Sequence, residues 1–357
     1  MARKEIKTTA PLPVDENGKP YSVGGQAVME GVMMQGKDTI ALAVRQPDGK
    51  IALRTKPRKI LSKKYPVLGW PIIRGVVNFI MMLVVGMKTL TESAEMAGEQ
   101  MEEPSKFEKK VASILHMNAE DVMMVFAVIL ALALAIGMFF VIPTALESWI
   151  RGAIPNKFLV NLIGGLVRIA IFIGYVGAVS QMKEIKRVFR YHGAEHKAVH
   201  CFEHGDELTV ENAQKYTTLH PRCGTSFLFI VMVISILVFV LFGADTSNVV
   251  IRVGSRIALL PLVAGLSYEL LQYLGRAGDG PIVSALKWPG LMMQKLTTAE
   301  PDDSMVEVAL AALKASLKMK NPLGEQGEVA GEAIQAGQAE AAQDEQAPQP
   351  EGEAQAE

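Results

Sequence analysis

Cysteine is almost absent, with two residues in 357, so no disulfide framework can hold this chain together. Aromatic residues are sparse at 6% and charged residues reach only 20%, while half of the chain is hydrophobic. The uncharged runs Val122 to Leu146 and Cys223 to Ala244 are 25 and 22 residues long, enough to cross about 30 Å of hydrocarbon, which excludes a purely soluble globular protein. The opening stretch MARKEIKTTAPLPVDENGK lacks the apolar core of a secretory signal, so it reads as a polar head that stays in the cytoplasm. No Lys-Ser/Thr follows a Gly-rich loop and no strand-Gly-helix dinucleotide fingerprint occurs, so Gly24-Gly25 and MEGVMM read as tight turns and apolar packing. Lys and Arg are missing from the last 37 residues, which hold nine acids; the first 320 residues carry 36 bases against 28 acids. The basic stretch Arg54 to Lys64 has no aromatic platform beside it, which favours anionic lipid over nucleic acid.

What is present predicts an α-helical polytopic membrane protein of about four transmembrane helices plus a re-entrant or interfacial segment, preceded by a small N-terminal β-hairpin module. Residues 1–20 read as a disordered tail. Residues 21–67 read as a cytoplasmic β-rich module, in which Ile40 to Arg45 and Lys50 to Arg54 flank a QPDG turn. Residues 68–120 hold an apolar stretch, Leu68 to Leu90, broken by Gly75 and Gly86, and then two short surface helices interrupted at Pro104. A four-helix transmembrane region follows at 121–275, with a cytoplasmic His/Cys loop at 181–224. The amphipathic pattern of Val306, Leu310 and Leu313 marks a cytoplasmic helical region at 276–320, and 321–357 reads as a disordered acidic tail.

Loop charges orient the spans Val122 to Ile142, Phe158 to Ser180, Thr225 to Phe242 and Val250 to Leu274. Residues 1–67 contain thirteen Lys or Arg and the 181–224 loop seven, whereas the 143–157 and 243–249 loops contain two and none. The positive-inside rule puts the first two regions in the cytoplasm, which requires that Leu68 to Leu90 does not cross. The expected location is a bacterial cytoplasmic membrane, multi-pass, with both termini cytoplasmic and with the lipid bilayer and other membrane proteins as partners.

Five of the six His residues fall within 29 residues, and His192, His196, His200 and His204 recur every fourth position. On a helix that spacing gives a stripe drifting about 40° per step, so neighbours can share a metal but the whole stripe, rising about 18 Å, cannot. His192, Glu195 and His196 form H-x-x-E-H, in which two imidazoles can bind zinc while the Glu polarises water. His220 and Cys223, spaced H-x-x-C, complete a three-His, one-Cys set; His200, His204 and Glu269 stand as further candidate ligands. A divalent ion, zinc first, is the implied cofactor. The bland alternatives are an interfacial helix with its imidazoles at the headgroups, and for Glu195 an ion pair with Lys197 or Arg190. Cys201 reads as a small buried hydrophobe. Glu269 is the acid deep in a span, and Arg168 or Arg256 is its expected partner.

The strings GGQAVMEGVMM at 24–34, YHGAEHK at 191–197, ELTVEN at 207–212, LHPRCGTSF at 219–227 and PGLMMQKLTTAEPDD at 289–303 resemble the YqhQ-like family of bacterial membrane proteins. The resemblance runs from about Tyr21 to Leu313. That family has no assigned function and is described as predicted metal-dependent enzymes, so the resemblance implies a membrane metalloprotein without naming a substrate. Two main functions compete. One is a metal-dependent hydrolase with Glu195 as general base; the other is a non-enzymatic membrane interaction or regulatory module with a structural metal site. Metal transport along the His stripe is a third.

Overall fold

A computed structural model describes residues 23–58, 65–98, 110, 113, 118–154, 156–242, 248–277 and 280–319. The two expected tails, and residues 99–109 of the expected surface helices, lie outside the described residues.

The QPDG turn forms as its composition predicts. Gly49 takes φ 84°, the left-handed backbone that glycine tolerates, and its N–H bonds to Gln46 O at 2.9 Å. The expected hairpin is half of a larger unit, however. Strands β1 (Gly24–Val28), β2 (Gly31–Gln35), β3 (Thr39–Arg45) and β4 (Ile51–Pro57) form one antiparallel meander in sequence order. GGQAVMEGVMM is therefore its first hairpin, pairing Val28 with Gly31 across the Met29-Glu30 turn. The sheet is covered on both faces, which removes the polar alternation that would have marked the strands in sequence.

The helices are α1 (Ile73–Met96), α2 (Ala119–Ile136), α3 (Ile142–Ile150), α4 (Lys157–Val179), α5 (Lys183–Glu203), α6 (Val210–Gln214), α7 (Gly224–Phe242), α8 (Val249–Ala258), α9 (Leu260–Arg276), α10 (Pro281–Thr297) and α11 (Asp303–Ser316). A π-helical turn, Gly137–Val141, joins α2 to α3. One sheet face, with Val32, Met34, Ala43 and Leu53, shares a core with Ala194, Ala198 and Phe202 of α5 and with Val306, Leu310 and Leu313 of α11. The other face, with Val28, Met33, Leu42 and Val44, meets Val85 and Met96 of α1. The C-terminal amphipathic helix is thus a core element. Asp302 caps it, accepting the Met305 N–H at 3.1 Å.

Among the described residues, four helices are long and apolar enough to cross a membrane, Ile73–Met96, Val125–Ile150, Phe158–Val179 and Gly224–Phe242, and the bent pair Val249–Ala258 and Leu260–Gly275 makes a fifth if it is one span. Three of the four expected spans are among them, and Ile73–Met96 joins them. From Ile73 onward the apolar stretch at 68–90 is one continuous helix, because glycine lowers helix propensity without breaking the hydrogen-bond ladder; Gly75 and Gly86 instead allow close approach by Gly265 and Gln26. The last expected span is bent by 43° between α8 and α9, where Pro261 starts a new helix.

Two charge assignments also change. Glu269 pairs with Arg74 of α1, Nε to Oε1 at 2.7 Å, and not with Arg168 or Arg256. Those two arginines and Arg252 converge on Glu147, which is fully buried. Glu147 reads as loop in sequence because the α2 run ends near Ile142; the π turn carries the helix on to Ile150 and brings Glu147 inside.

Candidate metal centre

Helix α5 presents two chemically different faces. Tyr191, Ala194, Ala198, Cys201 and Phe202 pack into the sheet and α11 core, and His192, His196, His200 and Glu203 face the loop before α7. The helix ends where Gly205 (φ 78°) adopts the left-handed conformation and its N–H bonds to Phe202 O at 3.1 Å. Gly193 serves a separate purpose. A Cβ there would lie 2.1 Å from Ala299 O, so glycine lets the end of α10 lie against α5 and puts Thr297 O within 2.8 Å of His192 Nδ1.

The H-x-x-C loop is anchored by Gln294 of α10. Its buried amide accepts the His220 N–H at 2.7 Å and donates to His220 O at 2.7 Å and to Ser226 Oγ at 2.9 Å. Cys223 then sits at the start of α7, with its Sγ 3.1 Å from His192 Nε2. Ligand atoms of His192, His196 and Cys223 all lie within 4.8 Å of one another. His196 Nδ1 is held by Thr218 O, and its buried Nε2 makes no hydrogen bond among the described residues. Burial pushes His196 below the ordinary imidazole range, toward the neutral form that a metal requires. With both Nδ1 atoms facing carbonyls, both Nε2 atoms are left as lone-pair donors. Metal-binding histidines are commonly oriented in this way, one ring nitrogen bonded to a carbonyl and the other facing the ion.

Glu195 lies beside this set, with Oε2 3.5 Å from His196 Nε2. It is not paired with Arg190 or Lys197, which bond to Asp302 and Glu300, each at 3.0 Å. Burial pushes its carboxyl above the usual range, against the pull of His192 and His220. Strand β1 presses on it: a Cβ at Gly25 would lie 2.7 Å from Glu195 Cγ and Oε1. Sequence reading missed Gly25 here because its contact spans 170 positions and no local signal marks it.

His220 joins a neighbouring set instead of the first. Its ligand atom lies within 4.8 Å of those of His200 and Glu203, so of the expected three-His, one-Cys set only His192, His196 and Cys223 are grouped together. His220 Nε2 meets Glu203 Oε2 at 3.3 Å, His220 Nδ1 accepts the Arg222 N–H at 3.3 Å, and Arg222 also pairs with Glu203. Burial would raise Glu203, but His220 and Arg222 hold it below the usual carboxylate range. A guanidinium on its carboxylate and a donor on its imidazole make this second set less suited to a cation. His204 bonds its own helix, Nδ1 to His200 O at 2.8 Å, and stands against Tyr216. Glu269 belongs to neither set. Cys201 is buried with its thiol pushed up to about 12, chiefly by burial, as a buried hydrophobe requires.

Residues 70–319 match the family described as Protein of unknown function (DUF1385). The chain is also 36% identical over 305 residues to the "Uncharacterized protein YqhQ" of Bacillus subtilis (strain 168), covering 84% of this chain and 94% of that protein. No solved structure matches.

Proposed function

We propose, for a chain that belongs to the DUF1385 family, a polytopic membrane protein that holds a divalent metal ion between α5 and the loop before α7 and uses it for hydrolysis. The observation that carries this reading is the buried, unbonded Nε2 of His196 facing His192 Nε2 and Cys223 Sγ. Two imidazoles and a thiolate suit zinc, and three protein ligands leave a position open, as catalytic sites require. Such an ion supplies Lewis acidity when bound. Glu195, kept from solvent and adjacent to the ligand atoms, would accept the proton of an attacking water. A second reading has its own support: at 3.5 Å from His196 Nε2, Glu195 Oε2 is near enough to be a fourth ligand, which would close the site and make it structural.

Elemental analysis separates these readings. Wild type should retain one equivalent of metal and His192→Ala/His196→Ala none. Glu195→Gln should keep the metal and lose turnover across a panel of peptide, phospholipid and phosphate-ester substrates. Loss of metal in Glu195→Gln supports the closed structural site, and well-folded wild type without metal overturns the proposal.

The membrane part of the proposal draws on exposure and packing. Ile129, Leu132 and Leu134 of α2 are 59%, 57% and 63% exposed, a surface that suits lipid and not water. The sheet, α5 and α11 share one core, so they stand on the same side of any bilayer, and an even number of helices must cross between β4 and α5. Helix α1 is the one that stays. Its second half rests on the sheet, where Ser93 Oγ accepts the Met29 N–H at 3.2 Å, and Phe79 lies 5.7 Å from Phe227, near the start of α7. That leaves α2–α3, α4, α7 and the bent α8–α9 pair as four crossings, with the metal centre on the cytoplasmic side, where the bases concentrate.

A further inference from the structure

We infer that the arginine cluster around Glu147 is a second ligand site, one for a phosphate-type oxyanion. Glu147 has no exposed surface, and its two carboxylate oxygens already meet three guanidinium groups: Arg168 Nη2 on Oε1 at 3.0 Å, Arg252 Nη2 on Oε2 at 2.8 Å and Arg256 Nη2 on Oε2 at 2.5 Å. Arg252 has further contacts of its own, among them Nη1 to Ser148 Oγ at 2.9 Å. Arg168 and Arg256 alone outnumber Glu147 two to one, and they are 6% and 3% exposed.

Their other neighbours are dipoles or aromatic faces. Arg168 Nε donates to Phe139 O at 3.2 Å, Arg256 bonds the Thr144 hydroxyl, and both guanidinium groups lie over the Phe239 ring, at 5.6 and 5.5 Å from its centroid. Dipoles and π faces soften a buried cation but do not neutralise it, and an uncompensated charge in an apolar interior is costly. The forks of several arginines match the tetrahedral oxygens of phosphate better than they match one shared carboxylate.

Broken helices meet at the same place. The π turn at Gly137–Val141 supplies the Phe139 carbonyl, and α8, which carries Arg252 and Arg256, ends at the 43° bend into α9. Interrupted apolar helices that converge on ionisable groups are a recurrent way to build a ligand site within a bundle. Phe239 lies fifteen residues along α7 from Gly224, about 22 Å at about 1.5 Å per residue, so this site is separate from the metal centre. Phosphate oxygens can come from a free ion or from a lipid headgroup. In both cases Glu147 competes for the same guanidinium groups.

The test is equilibrium binding of radiolabelled inorganic phosphate to the full chain in phosphatidylcholine nanodiscs, beside native mass spectrometry of chain extracted from nanodiscs containing phosphatidic acid. One saturable phosphate per chain assigns the site to a free anion; retention of one phosphatidic acid without phosphate binding assigns it to a headgroup. Glu147→Gln should tighten binding at least about tenfold, and Arg256→Gln and Arg168→Gln should weaken it at least about tenfold, as expected for charged partners in a desolvated site. Should an arginine variant fail to fold, Glu147→Gln still decides, because phosphate or phosphatidic acid must raise its melting temperature by more than that of wild type. Absence of both ligands from wild type, or equal binding by Glu147→Gln and wild type, overturns the inference.

Discussion

Replacing Gly25 with Ala tests whether the N-terminal sheet forms a wall of the candidate metal centre. The added Cβ would sit 2.7 Å from Glu195 Cγ and Oε1 and 2.9 Å from Met33 O, closer than carbon atoms tolerate, and one of those contacts is to backbone. Gly25 is not among the residues with positive φ, so the penalty is steric and not conformational. Overpacking of this kind costs about 1–3 kcal/mol. Gly24→Ala is the matched control: nothing lies within 4 Å of a Cβ there, and the same replacement should be neutral or stabilise by about 0.4–1 kcal/mol through the unfolded chain. Thermal unfolding of both variants in detergent should separate their midpoints by about 2–16 °C, at roughly 2–4 °C per kcal/mol for a large domain. Metal content measured on the same samples adds a second readout, since the displaced carboxylate affects retention only if Glu195 is a ligand. Equal midpoints for the two variants would refute the docking of β1 on α5.

Two further outcomes are expected. A cysteine at Trp149, which is 80% exposed at the end of α3, should react with an impermeant thiol reagent from outside intact cells, whereas one at Lys50 in the β3–β4 turn should react only after permeabilisation. Cys201 and Cys223 are buried and give little background, and cytoplasmic labelling of Trp149→Cys would reverse the proposed topology. Asp302→Ala should cost about 1 kcal/mol by uncapping α11. Burial pushes Asp302 up, but the Ser304 hydroxyl, the Met305 N–H and Arg190 hold it below its ordinary 3.8. The cap therefore contributes fully above that value and fades as pH falls through the lowered one. Denaturation at pH 7 and below pH 3 should show the gap between wild type and variant closing in acid.

Features set by local periodicity were legible in the sequence. The four-residue His spacing marked the face of α5 that meets the loop, Gly49 marked its turn, and the uncharged runs marked α2 and α7. Long-range partners were not legible. His220 fits a zinc tetrahedron by spacing, yet Glu203, one helical turn beyond His200 on α5, takes its Nε2. Glu147, within the expected 143–157 loop, holds the buried place expected of Glu269, because the depth of a charge in a bundle depends on where helices bend, and a π turn leaves no compositional mark. Strand β2 was hidden for a related reason: burial on both faces, Val32 and Met34 against α5 and α11 and Met33 against α1, makes a strand read as a featureless apolar run.

The core shared by the first strands and the last helix has a consequence for biosynthesis. The apolar helices are made in between, and the sheet face bearing Val32 and Met34 is covered only when Val306, Leu310 and Leu313 have been made. Thr297, whose carbonyl orients His192, also arrives at that late stage. For most of translation the N-terminal sheet is thus an open apolar surface, exposed to misassociation. Under the proposed reading, ion capture would wait for Thr297 and so fall late in assembly, long after His192, His196 and Cys223 have been made.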